Sequence, residues 1–313
     1  MIAVRIMLKF CLSSKKLQGG DIINILHKNI GLGSFAFRYA VGIKEFQSPC
    51  PMNALAFMEK AYQLGYRRIQ LCENLGYKAY PQKDLLSLRD MAKDLGMIIE
   101  VGLRKLDEEN LIRHIEIALM LGSPFIRAVS HDRDSLSRQE QESVVTAVTK
   151  LLKDWAPRLD NHGIRLGLEN HFDLATKDLV RIVTEVASPG IGLVFDSTNS
   201  LGFLEKPENT LKTMSNFVLS VHLKDYTIQK GEAGYEILGT VLGEGALDIS
   251  AVFSLLKDRL PHTSIIIEST ARRNLLDTPE QVLQWEEEMI QRNTHGIDNL
   301  IKKYLCQNKE GNS

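Results

Sequence analysis

The chain has 313 residues, 44% hydrophobic and 25% charged, which is ordinary for a globular protein and enough to bury a sizeable core. Its 38 basic and 39 acidic side chains leave a net charge of -1, without the basic excess that nucleic-acid binding demands. No uncharged apolar run is long enough to span a bilayer, and the four cysteines, Cys11, Cys50, Cys72 and Cys306, form no C-x-x-C pair. A zinc ribbon, a thioredoxin-type site and a disulfide scaffold are thereby set aside. Reduced thiols in a cytoplasmic protein are the expectation.

The N-terminal run MIAVRIMLKFCLSS resembles a signal peptide only faintly, because Arg5 and Lys9 interrupt it and no small-residue cleavage site follows. Residues 1–28 are expected to be an N-terminal extension, poorly ordered or the product of an upstream start. From there short β-branched runs alternate with longer segments of helical period. The expected strands are IGLGSFAF from Ile30, YRRIQLC from Tyr66, MIIEVGL from Met97 and PFIRAVS from Pro124. They continue with IRLGLEN from Ile164, IGLVFDS from Ile191, FVLSVHLKD from Phe217 and SIIIEST from Ser264. Amphipathic stretches lie between them, and Leu64-Gly65, Leu95-Gly96 and Leu121-Gly122 read as helix C-caps.

Eight strand–helix units over about 250 residues predict an α/β fold, a single-domain (β/α)8 TIM barrel over residues 29–305, with a flexible tail at 306–313. The rival, a doubly wound sheet, loses support because the first strand leads into Ser34-Phe35-Ala36 rather than a dinucleotide-binding glycine loop. Within the barrel, the long connection from Tyr226 to His262 is the main elaboration. Trp155 and Trp285 fall in helical patterns and read as packing residues.

In such a barrel the chemistry sits at the C-terminal ends of the strands. Glu169, Asp196, His222 and Glu268 close the fifth to eighth runs at one expected depth. Any one of them could be a solvated strand end; four on successive strands form a set. Three carboxylates with one imidazole suit Mn2+, Mg2+ or Co2+, with Zn2+ also admissible. A divalent ion would relieve the repulsion of three crowded carboxylates. Lys224 shares a strand face with His222 and could bind an oxyanion or a substrate carboxylate. Asn170 and His171 could hold substrate hydroxyls or orient the ligands. Arg38 and Asn74 approach the mouth from the first strands, each a candidate for an anionic or hydroxylated substrate. Asp248 is expected to cap the helix AVFSLLKDRL, and Glu244 to reach the mouth.

The segments LGLENH, GLVFDSTNS, VHLKDY, LGEGALD and IIIEST, in that order, resemble the xylose isomerase-like barrel superfamily from about Ile30 to Tyr304. The resemblance implies one divalent metal held by Glu169, Asp196, His222 and Glu268. It implies a sugar or sugar phosphate isomerase/epimerase working through an enediolate, with Glu169 and Glu268 as acid and base and Lys224 as a third catalytic group. Arg38, Asn74, His171, Asn199 and Glu244 would bind a small sugar or sugar-acid substrate.

Two departures weaken a free-ketose 3-epimerase: Asn199 stands where many carry histidine, and Ala175 where they carry a substrate-binding glutamate. The alternatives are a metal-dependent lyase, either a decarboxylase or a dehydratase, acting on an oxo-sugar acid or inosose. A nuclease of the endonuclease IV type would need further histidines that are missing here. A non-catalytic sugar-binding barrel would have no use for the acidic set. Fold analogy suggests a homo-oligomer.

Overall fold

The computed structural model describes residues 28–133, 136–256, 259–269 and 278–310. The extension expected at 1–28 lies outside these residues except for Lys28. The barrel strands are β1 Ile30–Gly33, β2 Arg68–Leu71, β3 Ile98–Arg104, β4 Phe125–Val129, β5 Arg165–Glu169, β6 Ile191–Asp196 and β7 Val218–Leu223. An antiparallel hairpin follows, β8 Asp225–Lys230 and β9 Tyr235–Thr240, and β10 Ser264–Ile267 completes the barrel. The eight barrel strands are parallel and close in the order β1-β10-β7-β6-β5-β4-β3-β2. All eight expected strands are present, and the fold is a single-domain (β/α)8 TIM barrel.

A helix follows each unit: α1 Ala54–Gln63, α2 Gln82–Asp94, α3 Glu108–Leu121, α4 Arg138–Asn161, α5 Thr176–Val186, α6 Pro207–Met214, α7 Ile249–Leu255 and α8 Pro279–Glu310. Several of their starts are set by side chains that satisfy otherwise unpaired N–H groups. Asn53 accepts from Ala56 N, Asp107 from Asn110 N and Asp248 from Ala251 N, and Ser137 forms a capping box with Glu140. Gly65, Gly96 and Gly122 adopt positive φ at the ends of α1, α2 and α3, as the Leu-Gly pairs predict. Helix α8 runs past the point where a flexible tail was expected to begin, so residues 306–310 are helical. Among the described residues, no helix is long and apolar enough to cross a membrane.

Strand alternation divides the barrel into two environments. Leu71, Val101, Leu103, Leu166, Leu168, Leu193 and Phe195 belong to the large apolar cluster shared with the helices. The opposite parity fills the lumen with polar and small residues. Arg68 and Gln70 both donate to Glu100 there, while Phe125, Val194 and Leu219 form a separate apolar plug. A Cβ on Gly167 would lie 2.8 Å from both Phe125 and Val194, so this lumen position has no room for a side chain. Trp155 and Trp285 pack against apolar clusters, as expected.

Two carboxylates fix the rim. Asp225, at the start of the hairpin, accepts from the backbone N–H groups of Tyr226, Gly243, Gly245 and Leu247 at 2.8–3.1 Å. Two strands round the barrel, Glu286 of α8 accepts from Tyr39 N at 2.7 Å and Ala40 N at 2.8 Å, tying the helical turn Arg38–Val41 to the last helix. Burial raises the Glu286 carboxyl to about 7, against the pull of those two N–H donors and of Arg38.

These clamps yield two expected outcomes. A Cβ at Gly245 would lie 2.1 Å from Asp225 Oδ1 and 2.5 Å from Tyr226 O. Gly245→Ala should therefore lower stability in urea by about 2 kcal/mol or more; an unchanged midpoint would contradict the clamp. For Glu286 the folded pKa lies above the ordinary carboxyl value, so its stabilising contribution is full below about 4.5 and is lost as pH rises through about 7. The stability of the wild type relative to Glu286→Gln should fall by up to about 3 kcal/mol between pH 5 and pH 8. A pH-independent difference would mean that the carboxyl titrates normally.

Candidate metal centre and cavity

Four strand ends deliver the expected acidic set to one mouth. Glu169 and Asp196 are the last residues of β5 and β6, His222 is the penultimate residue of β7, and Glu268 directly follows β10. The placement of His222 depends on an irregularity between β6 and β7. Leu193 pairs with Val218, but Val194 pairs with Ser220, so Leu219 is skipped and Asp196 comes alongside His222. Without that extra residue Asp196 would pair with Val221, and the imidazole would face the helices instead of the lumen.

All four side chains are buried, none more than 3% exposed. His222 Nδ1 lies 3.6 Å from Glu169 Oε1, 3.5 Å from Glu268 Oε1 and 3.9 Å from Asp196 Oδ2. Neither His222 nitrogen, nor Glu268 Oε1, has a hydrogen-bond partner. Burial alone would lower the imidazole pKa, yet the Glu268 and Glu169 carboxylates hold it above its ordinary value. The cluster thus calls for positive charge at its centre. Orphaned buried atoms on His222 and Glu268, with the Glu169 and Asp196 carboxylates converging beside them, fit a divalent cation, and Glu169, Asp196 and His222 could hold one.

Three of the surrounding cations are already committed to these acids and to Glu73. Lys224 Nζ lies 2.7 Å from Asp196 Oδ2 and 2.9 Å from Glu268 Oε2, on the same strand face as His222. Burial opposes its charge, but Asp196 and then Glu268 overcome this and keep the ammonium above the usual lysine range. Arg127, from the middle of β4, donates through Nε to Glu169 Oε2 and approaches Glu73 Oε2 at 3.4 Å. Burial works against ionisation of Glu169, and the Arg127 guanidinium overrides it, holding the carboxyl well below the usual range. Arg104 extends the chain of alternating charge to Glu73 at 3.8 Å.

A cavity of about 700 Å³ opens above the cluster. Of the residues expected to bind substrate, Arg38, Asn74, His171 and Asn199 line it. Asn74 is also tied to the end of β1, accepting from Ser34 Oγ at 2.6 Å and donating to Ser34 O. Asn199 donates to Glu169 Oε1 at 3.0 Å, and Asn170 bridges to the backbone of Asp196, so both brace the acidic set. Burial holds the His171 imidazole below its usual range, with its ring edge-on to Phe172.

Glu244 corrects the expectation. It is paired with Arg292 of α8 at 2.6 Å beside a separate groove, because the Asp225 clamp turns the Gly243–Gly245 loop toward that helix. Asp248 caps α7 as predicted. The residues missed were Arg127, Glu73 and Arg104, together with the hairpin's Ile237, Leu238 and Gly239, which roof the cavity. Arg127 carried a signal: a charge in the centre of an otherwise apolar strand must have a buried partner.

A family model described as xylose isomerase-like TIM barrel matches residues 58–292. The 3-oxo-isoapionate decarboxylase of Pectobacterium atrosepticum is 28% identical over 241 residues, spanning 76% of this chain and 84% of that protein. The IolI protein solved with a zinc atom superposes with a TM-score of 0.61 at 17% identity, over 88% of this chain and 99% of that one. D-psicose 3-epimerase solved with D-fructose gives a TM-score of 0.64 at 15% identity, over 86% and 97% of the two chains. At those identities the two structures speak for the fold alone. With the eight-stranded barrel and the match over most of its length, the chain belongs to the xylose isomerase-like TIM barrel family.

Proposed function

We propose that the protein is a metal-dependent decarboxylase of an oxo-sugar acid, the lyase branch of the activities that the sequence suggests. The observation that carries this is the buried pairing of Glu169 with Arg127 and Asn199. An isomerase or epimerase needs one carboxylate to take a proton from carbon and another group to return it. Glu169 could accept a proton only by breaking a buried ion pair, a loss on the order of 3–5 kcal/mol. Decarboxylation of an acid with an oxo group β to the carboxylate needs no such base. The 28% identity to 3-oxo-isoapionate decarboxylase supports the same reading.

Glu169, Asp196, His222 and Glu268 would hold the divalent ion, which when bound polarises the oxo group as a Lewis acid. The bond from the α-carbon to the carboxylate breaks, its electron pair moves toward the oxo oxygen, and carbon dioxide leaves. Lys224 lines the cavity beside Glu268 and supplies the proton that the resulting enediolate takes up at carbon. That carbon is far more basic than an amine, so even an ammonium with a raised pKa serves as the acid. The second reading, isomerase/epimerase, draws on Glu169 and Glu268 lying within 3.6 Å of one His222 nitrogen, from strands on opposite sides of β7.

Elemental analysis should find about one divalent ion per chain in the wild type and loss of that ion in Asp196→Ala with the fold retained. No ion after reconstitution with Mn2+ would remove the metal mechanism, and about three zinc ions would revive a nuclease-like centre. With the metal present, oxo-sugar acids in deuterated water should release carbon dioxide and gain a single deuterium at the carbon that lost it. Ketose or ketose phosphate interconversion with exchange at carbon, and no carbon dioxide from any oxo acid, would establish the isomerase/epimerase reading instead.

A further inference from the structure

We infer that Arg38 anchors a carboxylate of the substrate and so makes the cavity selective for acids over neutral sugars; the inference rests on the decarboxylase reading and deepens it. The cavity is lined by four basic side chains of this kind, Arg38, Arg104, Arg127 and Lys224. Three are spent on the site's own acids: Arg127 on Glu169 and Glu73, Arg104 on Glu73, and Lys224 on Asp196 and Glu268. Among the described residues, Arg38 has no carboxylate within ion-pairing distance, and its Nε is buried without an acceptor. A buried donor left unmet is destabilising, and a ligand oxygen would satisfy it.

The surroundings hold Arg38 in place without neutralising it. Glu286, whose field reaches Arg38, has its two oxygens occupied by the Tyr39 and Ala40 N–H groups. The Tyr39 ring lies 5.5 Å from the guanidinium carbon. A guanidinium fork matches the two oxygens of a carboxylate; a phosphate ester offers related chemistry, and the test separates them. The pair is strongest while the substrate is an anion and weakens as neutral carbon dioxide forms. Arg38 therefore favours the bound acid over the transition state, and its loss should raise KM without lowering kcat.

The experiment measures binding of three unreactive four-carbon probes, erythronate, erythritol and erythritol 4-phosphate, to the full chain by calorimetry. The wild type should bind erythronate at least about tenfold tighter than erythritol, the value of one good charge-assisted contact. Arg38→Gln should bring the two to within about twofold, and Arg38→Lys should retain part of the preference. Equal binding of acid and polyol by the wild type, no binding of erythronate, or an unchanged preference in Arg38→Gln would overturn the inference. Tighter, Arg38-dependent binding of erythritol 4-phosphate would overturn the carboxylate assignment in favour of a phosphate. Because the probes do not turn over, Arg38-dependent erythronate binding without carbon dioxide release from any oxo acid would fail the decarboxylase reading alone.

Discussion

Crowding Glu169, Asp196 and Glu268 around the buried His222 creates a repulsion that the rest of the barrel mouth is arranged to offset. Arg127 answers it from β4 and Lys224 from the end of β7, each paired at hydrogen-bonding range with the acids. Asn199 and Asn170 then occupy remaining donor and acceptor positions, so the carboxylates have little freedom to turn away. The arrangement stays short of satisfaction at the imidazole and at one oxygen of Glu268, which is where a cation would fit. Neutralisation by fixed side chains and incomplete hydrogen bonding at the centre are two sides of one design: a site rigid before any ion arrives.

The clustering of the three acids with His222 was legible because strand ends in this fold share a level, and each of the four residues closes an apolar run. The eight strands were legible for the same reason. Their outward faces pack on helices and must be apolar, giving runs such as IGLVF and SIII. What the linear pattern concealed was the lumen. Arg68, Gln70, Glu100 and Arg127 sit within these runs, and they find partners on neighbouring strands some 30 to 42 residues away. Nothing local identifies those partners, because strand register sets them. Glu244 failed for a related reason. Its loop resembles a rim element in sequence, but its direction depends on Asp225, twenty residues earlier and across the hairpin.

The irregularity at Leu219 shows how register becomes chemistry. The lumen-facing set of β7 is Ser220, His222 and Lys224, a polar alternation visible in VLSVHLKD. Upstream, Val218 pairs with Leu193 in the outer apolar cluster, so two consecutive residues, Leu219 and Ser220, turn inward between them. Leu219 joins Phe125 and Val194 to close the lumen beneath the acidic cluster, while Ser220 hydrogen-bonds to β10. The extra residue therefore serves twice. It supplies the dry floor that strengthens every charge interaction above it, and it brings the imidazole to the same face as Asp196.

From that point four consecutive residues divide the work of the site. His222 faces the acids, Leu223 packs into the outer core, Lys224 neutralises Asp196 and Glu268, and Asp225 clamps the rim. Because Lys224 and Asp225 are adjacent, the hairpin that contributes Ile237, Leu238 and Gly239 to the cavity is anchored one residue from the ammonium. A displacement of the hairpin base must pull on Asp225 and hence on the backbone that holds Lys224, itself pinned by reciprocal hydrogen bonds with Ser197 beyond Asp196. The roof over the substrate and the charge beneath it are therefore mechanically one unit, and the specificity of the cavity has to be read from both together. Arg38 follows β1, two strands round the barrel from β7, and its turn is fixed to α8 instead. On the decarboxylase reading, an incoming acid would therefore meet two separately anchored cations, Lys224 beside the hairpin and Arg38 on the turn held by α8.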